Sequence, residues 1–262
     1  MIYILFCLVS FLACIGGAIC GIGGGVIIKP VLDAFAVLDV ASISFLSGCT
    51  VLAMTCYSVG RAMYKKESVI DLKVSTPLAV GAVFGGVIGK VLFNSLLVTF
   101  SNHDKVGGVQ SIALFFLTLG TMIYTIKQDK IQTYEISNLF FCIIIGLILG
   151  ILSSFLGIGG GPINLVVLYF FFSMSSKVAA QNSLYVILFS QVASLLQTII
   201  TKTVPECILT LFIGMVLCGI LGGFMGAKIN KKINDNAVSK LFIILMGIIM
   251  LITIYNTYHY LH

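Results

Sequence analysis

Charge is what this sequence has least of: 9% of its 262 residues are Asp, Glu, Lys or Arg, against 59% hydrophobic. A water-soluble domain could not coat its surface with so few charges, so the solvent of this chain is lipid. Histidine is scarce as well. His103, His259 and His262 fall in a loop or at the C terminus, so no apolar segment supplies a Ser-His pair or a metal-ligand set. That argues against an intramembrane enzyme, and no cofactor or metal is expected. There is no CxxC pair. Seven cysteines (Cys7, Cys14, Cys20, Cys49, Cys56, Cys142 and Cys218) lie in apolar segments and read as small packing residues. The first 20 residues lack the basic start and cleavage site of a signal peptide, and read as a retained helix.

The charges that do occur gather in short stretches, Arg61 to Lys73, Lys127 to Glu135 and Lys228 to Lys240, between apolar runs. A run of roughly 18 to 25 residues can cross the hydrocarbon as a helix. Eight qualify: Ile2 to Cys20, Ala41 to Gly60, Pro77 to Phe100, Gly107 to Ile126, Ser137 to Leu156, Val178 to Ile200, Cys207 to Ala227 and Val238 to Tyr258. Two shorter pieces, Val26 to Leu38 and Pro162 to Ser176, follow glycine clusters. The net charge of +6 comes from basic residues beside apolar spans, which marks cytoplasmic loops and not a nucleic-acid surface.

The sequence carries itself twice. Gly21-Ile22-Gly23-Gly24-Gly25 returns as Gly157-Ile158-Gly159-Gly160-Gly161, and Gly85-Gly86-Val87-Ile88-Gly89 as Gly222-Gly223-Phe224-Met225-Gly226, at offsets of 136 and 137. Two different clusters recurring in one order at nearly one offset predict a duplicated unit, a common transporter architecture. The expected division is residues 1–130 and 131–262, together one transmembrane domain.

Loop charges bear on whether the halves are parallel or inverted. With four crossings per half, the basic residues divide seven against seven and give no orientation. If the glycine clusters are hairpin turns, Arg61, Lys65, Lys66, Lys73, Lys127, Lys130, Lys177, Lys228, Lys231, Lys232 and Lys240 share one side, against Lys90, Lys105 and Lys202. Eleven against three is a positive-inside signal. The fold expected is therefore an all-α polytopic membrane protein of two inverted repeats. Each has four long transmembrane helices plus a short broken helix after its GIGGG motif, and both termini lie outside.

Each glycine cluster reads as a helix break followed by a short helix, and Pro162 suits the first turn of the second one. Freed backbone groups in lipid need protein, water or a ligand, so broken helices tend to line cavities. A helix start offers unpaired N–H groups and positive dipole, which suits an anion. The alternative is that the glycines only let helices approach closely. An ammonium in an apolar segment needs a partner, and two are open to Lys29: a substrate anion, or Asp33 four residues later on the same helical face. Ser47, Thr50, Gln181, Asn182, Ser183 and Gln191 put polar groups into apolar sequence, either as a solute lining or as helix-to-helix hydrogen bonds. The clusters ending near Lys90 and Lys228 read as packing surfaces with a lysine reaching the interface. The residues expected to bind the solute are Gly21, Gly23, Gly24, Gly25, Lys29, Ser47, Gly157, Gly159, Gly160, Gly161, Asn182 and Ser183.

The doubled GIGGG motif, with Pro30 after the first copy and Pro162 after the second, and the later GGxxG elements resemble the TauE/SafE sulfite exporter family along essentially the whole chain. The resemblance implies a secondary carrier in the prokaryotic cytoplasmic membrane, moving sulfite, a sulfonate or a related small organic anion. Its glycine motif falls on Gly21, Gly23, Gly24, Gly25 and Pro30, and on Gly157, Gly159, Gly160, Gly161 and Pro162. Lys29 departs from the apolar residue usual before that proline. A passive anion channel is the competing reading, since glycine breaks and polar linings serve pores too. The expected partners are a small anionic solute and the lipid bilayer, with no nucleic acid.

Overall fold

The computed structural model describes residues 2–65, 68–99, 103–136 and 138–261; Lys66 and His262 of the sequence argument, and the run ends Phe100 and Ser137, lie outside them. The described residues form ten α-helices: α1 Ile2–Cys20, α2 Gly25–Phe35, α3 Val40–Tyr64, α4 Leu72–Thr99, α5 His103–Lys127, α6 Leu139–Leu156, α7 Pro162–Phe172, α8 Ser176–Ile200, α9 Leu209–Lys232 and α10 Asp235–Leu261. Eight are long and apolar enough to cross a membrane. The eight sequence runs fall on these helices, but the helices outlast the apolar composition. α3 continues from Gly60 to Tyr64 and α9 from Ala227 to Lys232, because backbone hydrogen bonding does not stop where side chains turn polar.

The two short pieces are α2 and α7, each 11 residues and about 16 Å long, half of a bilayer core. Gly21 and Gly23 (φ 74 and 75) and Gly157 and Gly159 (φ 64 and 68) take the left-handed conformation that ends α1 and α6. Pro162 sits in the first turn of α7, as expected. Both short helices then stop at a left-handed residue, Ala36 and Ser173, each at φ 50. The next helix starts from Asp39 in one case and Ser175 in the other, Asp39 accepting the Ser42 N–H at 3.1 Å.

Small residues bring the long helices together. A Cβ on Gly81, Gly85 or Gly89 of α4 would overlap the carbonyls of Ile143, Leu147 and Ile151 of α6 in turn, so these backbones touch and run parallel. On α9, Gly214, Gly222 and Gly226 press against Cys7, Phe11 to Ile15, and Ile15 to Ala18 of α1, again in parallel. The clusters are packing surfaces, as expected.

The other neighbours set the remaining directions. α3 runs with α9, since Phe45 stacks near Phe212 and Tyr57 near Phe224. α8 runs with α4, since Ser75 meets Asn182 and Asn94 meets Thr203. α3 and α8 are antiparallel: Gly48 lies against Gln191 and Leu195, while Ser58 and Ala62 lie near Gln181 and Leu184. Hence α1, α3 and α9 point one way, and α4, α6 and α8 the other. With α1 and α3 parallel, α2 returns toward the end where α1 began.

Candidate functional site

The two glycine breaks meet each other. A Cβ on Gly23 would lie 3.3 Å from the Gly159 carbonyl oxygen, 3.5 Å from Val51 and 3.6 Å from Ile187. Val51 and Ile187 stand near the midpoints of α3 and α8, so the crossing is at mid-depth. Gly25 abuts the Ile158 carbonyl and Ser47, Gly160 abuts Ile187, and Gly24 abuts Cys14; side chains there would overlap these atoms. Gly161 is extended and takes the N-cap of α7. The starts of α2 and α7 thus face one another at the centre, and two helix dipoles place positive potential there.

Lys29 stands one turn into α2 and is 2% exposed. Its Nζ donates to Asp33 Oδ2 at 3.0 Å, the i to i+4 pair that the sequence offered as one of two partners. Tyr260 also interacts with this carboxylate. The Lys29 stem reaches Gly157, its Cε lying 3.4 Å from where a Cβ there would stand. Asn256 of α10 donates to the Pro30 carbonyl at 2.8 Å and anchors α2 from behind.

On the far side of Gly157 is a narrow cavity lined by Ser44, Phe45 and Gly48 of α3, Lys90 of α4, Ser154 of α6, and Gln191, Ser194 and Thr198 of α8. Lys90 corrects the sequence reading, which sent its ammonium to the membrane interface. It is 8% exposed, and its Nζ lies 4.7 Å above the Phe93 ring. Among the described residues it makes no ion pair and no hydrogen bond. The Ser44 and Ser154 hydroxyls are buried with no hydrogen-bond partner among the described residues. A buried cation and unspent hydroxyls thus line one narrow polar space beside the glycine crossing.

The other expected residues have different surroundings. Ser47 is fully buried beside the start of α2, and its hydroxyl has no partner among the described residues. Ser183 donates to the Gly21 carbonyl at 2.5 Å, taking up an acceptor that the break freed from α1. Asn182 accepts from the Asp71 N–H at 2.9 Å and the Ser75 hydroxyl at 2.5 Å, and donates to the carbonyls of Val178 and Val69 at 2.7 and 3.3 Å. Its amide is spent on the α3–α4 connection.

A bundle of eight spans with two half-depth helices meeting over a polar cavity defines a multi-pass membrane transporter. The chain belongs to the sulfite exporter TauE/SafE family, whose model matches residues 6–253. It is also similar to the probable membrane transporter protein YunE of Bacillus subtilis (strain 168), at 24% identity over 274 residues covering 96% of each chain. No solved structure is significantly similar to it.

Proposed function

We propose that this protein is a secondary carrier, with no catalytic activity, that moves a small anion, sulfite, a sulfonate or a related organic anion, across the cytoplasmic membrane. The observation that carries this reading is Lys90, a buried ammonium with no carboxylate beside it in a cavity against the glycine crossing. A lone cation at membrane depth is costly unless an anion visits it. The facing helix starts add positive potential from the other side of Gly157, where the Lys29 charge is offset by Asp33. The family's name supplies the sulfur oxyanion as first candidate. In this reading Gly21, Gly23, Gly24, Gly25, Gly157, Gly159, Gly160 and Gly161 form the neck that the solute passes, and Lys29 and Ser47 border it. Asn182 and Ser183 hold its walls in place.

Residues 1–130 and 131–262 act as inverted repeats, a reading supported by the opposite directions of α1 and α6 and by the matched lengths of α2 and α7. The end carrying Arg61, Lys65, Lys73, Lys127, Lys177, Lys231 and Lys240 faces the cytoplasm. Lys90 belongs to neither surface.

Reconstitution in liposomes with sulfite as the solute tests the proposal. Wild-type flux saturates. Lys90→Gln raises the half-saturating concentration by about tenfold or more, as expected on removing one charged hydrogen bond of about 1.5–3 kcal/mol. Sulfite flux that Lys90→Gln leaves unchanged contradicts the site.

A further inference from the structure

A second, roomier cavity opens on the other side of the crossing, between the C-terminal half of α3, the start of α8, and the ends of α1 and α9. Its lining and that of the Lys90 cavity are the same places in the two halves of the sequence. Ser58 corresponds to Ser194, Ala62 to Thr198 and Ala18 to Ser154 at an offset of 136, and Gln181 to Phe45 at the same offset reversed. The internal duplication has built one chamber twice, once toward each membrane face.

The charges do not follow the duplication. The position matching Lys90 at the offset of 137 is Ala227, with no charge, yet the second chamber is lined by two cations, Arg61 and Lys231, whose counterparts in the other half are the uncharged Gln197 and Asn94. The two chambers have thus acquired their basic residues at different places in the repeat. Arg61 donates one hydrogen bond, to the Tyr57 hydroxyl at 3.4 Å, and stacks over Phe224 at 5.1 Å, which holds the guanidinium beside the cavity with further donors to offer. The Ser58 hydroxyl, on a side chain 7% exposed, has no partner among the described residues. Asn230 lines the same space and is fixed by donating to the Ile19 carbonyl at 2.6 Å.

Resting on the carrier reading above, we infer that the chamber of Ser58, Arg61, Gln181 and Asn230 is a second anion site, serving the face on which the basic residues lie, as the Lys90 chamber serves the opposite face. The transported oxyanion occupies one or the other, and the glycine crossing separates them. The two sites then carry separate affinities, one for each side of the membrane.

Sulfite uptake into inside-out and right-side-out membrane vesicles distinguishes them. Arg61→Gln and the milder Ser58→Ala are expected to raise the half-saturating concentration about tenfold or more and about threefold, for anion offered at the basic face only. Arg61→Lys restores most of the affinity, and Lys90→Gln shows the reverse sidedness. Arg61→Gln weakening uptake equally from both faces, or from neither, overturns the two-chamber inference while leaving the carrier intact. A wild type that moves no sulfite from either face overturns both.

Discussion

The Lys29–Asp33 pair is a test of what an ion pair does at membrane depth. Both side chains are nearly inaccessible, and breaking such a pair leaves one charge uncompensated at a cost of about 3–5 kcal/mol, whereas replacing both by apolar residues is often neutral. Lys29→Met alone is therefore expected to lower the unfolding temperature in detergent, and Lys29→Met with Asp33→Leu to restore it. Should the double variant regain stability but not sulfite flux, Lys29 serves the solute as well as Asp33. The pair was legible in the sequence, because four residues bring two side chains to one helical face. Lys90 was not. Within the run Pro77 to Phe100 its long side chain was expected to reach the interface, but the packing of α4 leaves it 8% exposed, with its ammonium over the Phe93 ring. The lining hydroxyls Ser44, Ser154, Ser194 and Thr198 were equally illegible, since serine and threonine recur throughout these helices and only packing selects those that meet a cavity.

At the scale of elements, the glycines divide by what surrounds them, and so do the effects expected of replacing them. Gly21 has φ 74 and lies against the Ala180 backbone, so Gly21→Ala has neither the conformation nor the space it needs. Gly85 lies on the α6 backbone. Both alanine variants are expected to lose several degrees of thermal stability in detergent. Gly60→Ala and Gly247→Ala, where nothing lies within 4 Å of the new methyl, are expected to match the wild type or exceed it. Equal behaviour of all four variants would contradict the close packing of α1, α4, α6 and α8. The breaks and the short helices could be read from the glycine clusters and Pro162. That the two breaks touch could not, because the contact joins residues more than 130 apart and depends on how the long helices pack.

For the whole molecule, the return of α2 and α7 decides which loops share a side, and it turns an uninformative division of basic residues into a strong one. A reporter fused after Ile126 is expected to be cytoplasmic and one after Lys202 external; both on the same side would contradict opposed halves. The duplication was visible in the sequence as repeated glycine clusters. Its consequence, a chamber on each side of one central crossing, emerged only once α3 and α8 were seen to run antiparallel through the middle.

In the proposed carrier, solute passes the glycine crossing one site at a time and does not flow through a pore. The most direct measurement is counterflow: liposomes loaded with unlabelled sulfite and diluted into a trace of labelled sulfite. A carrier accumulates the label transiently above its external concentration, and its rate saturates with external sulfite. Label that only equilibrates, at a rate linear in concentration, would identify a channel and contradict the account.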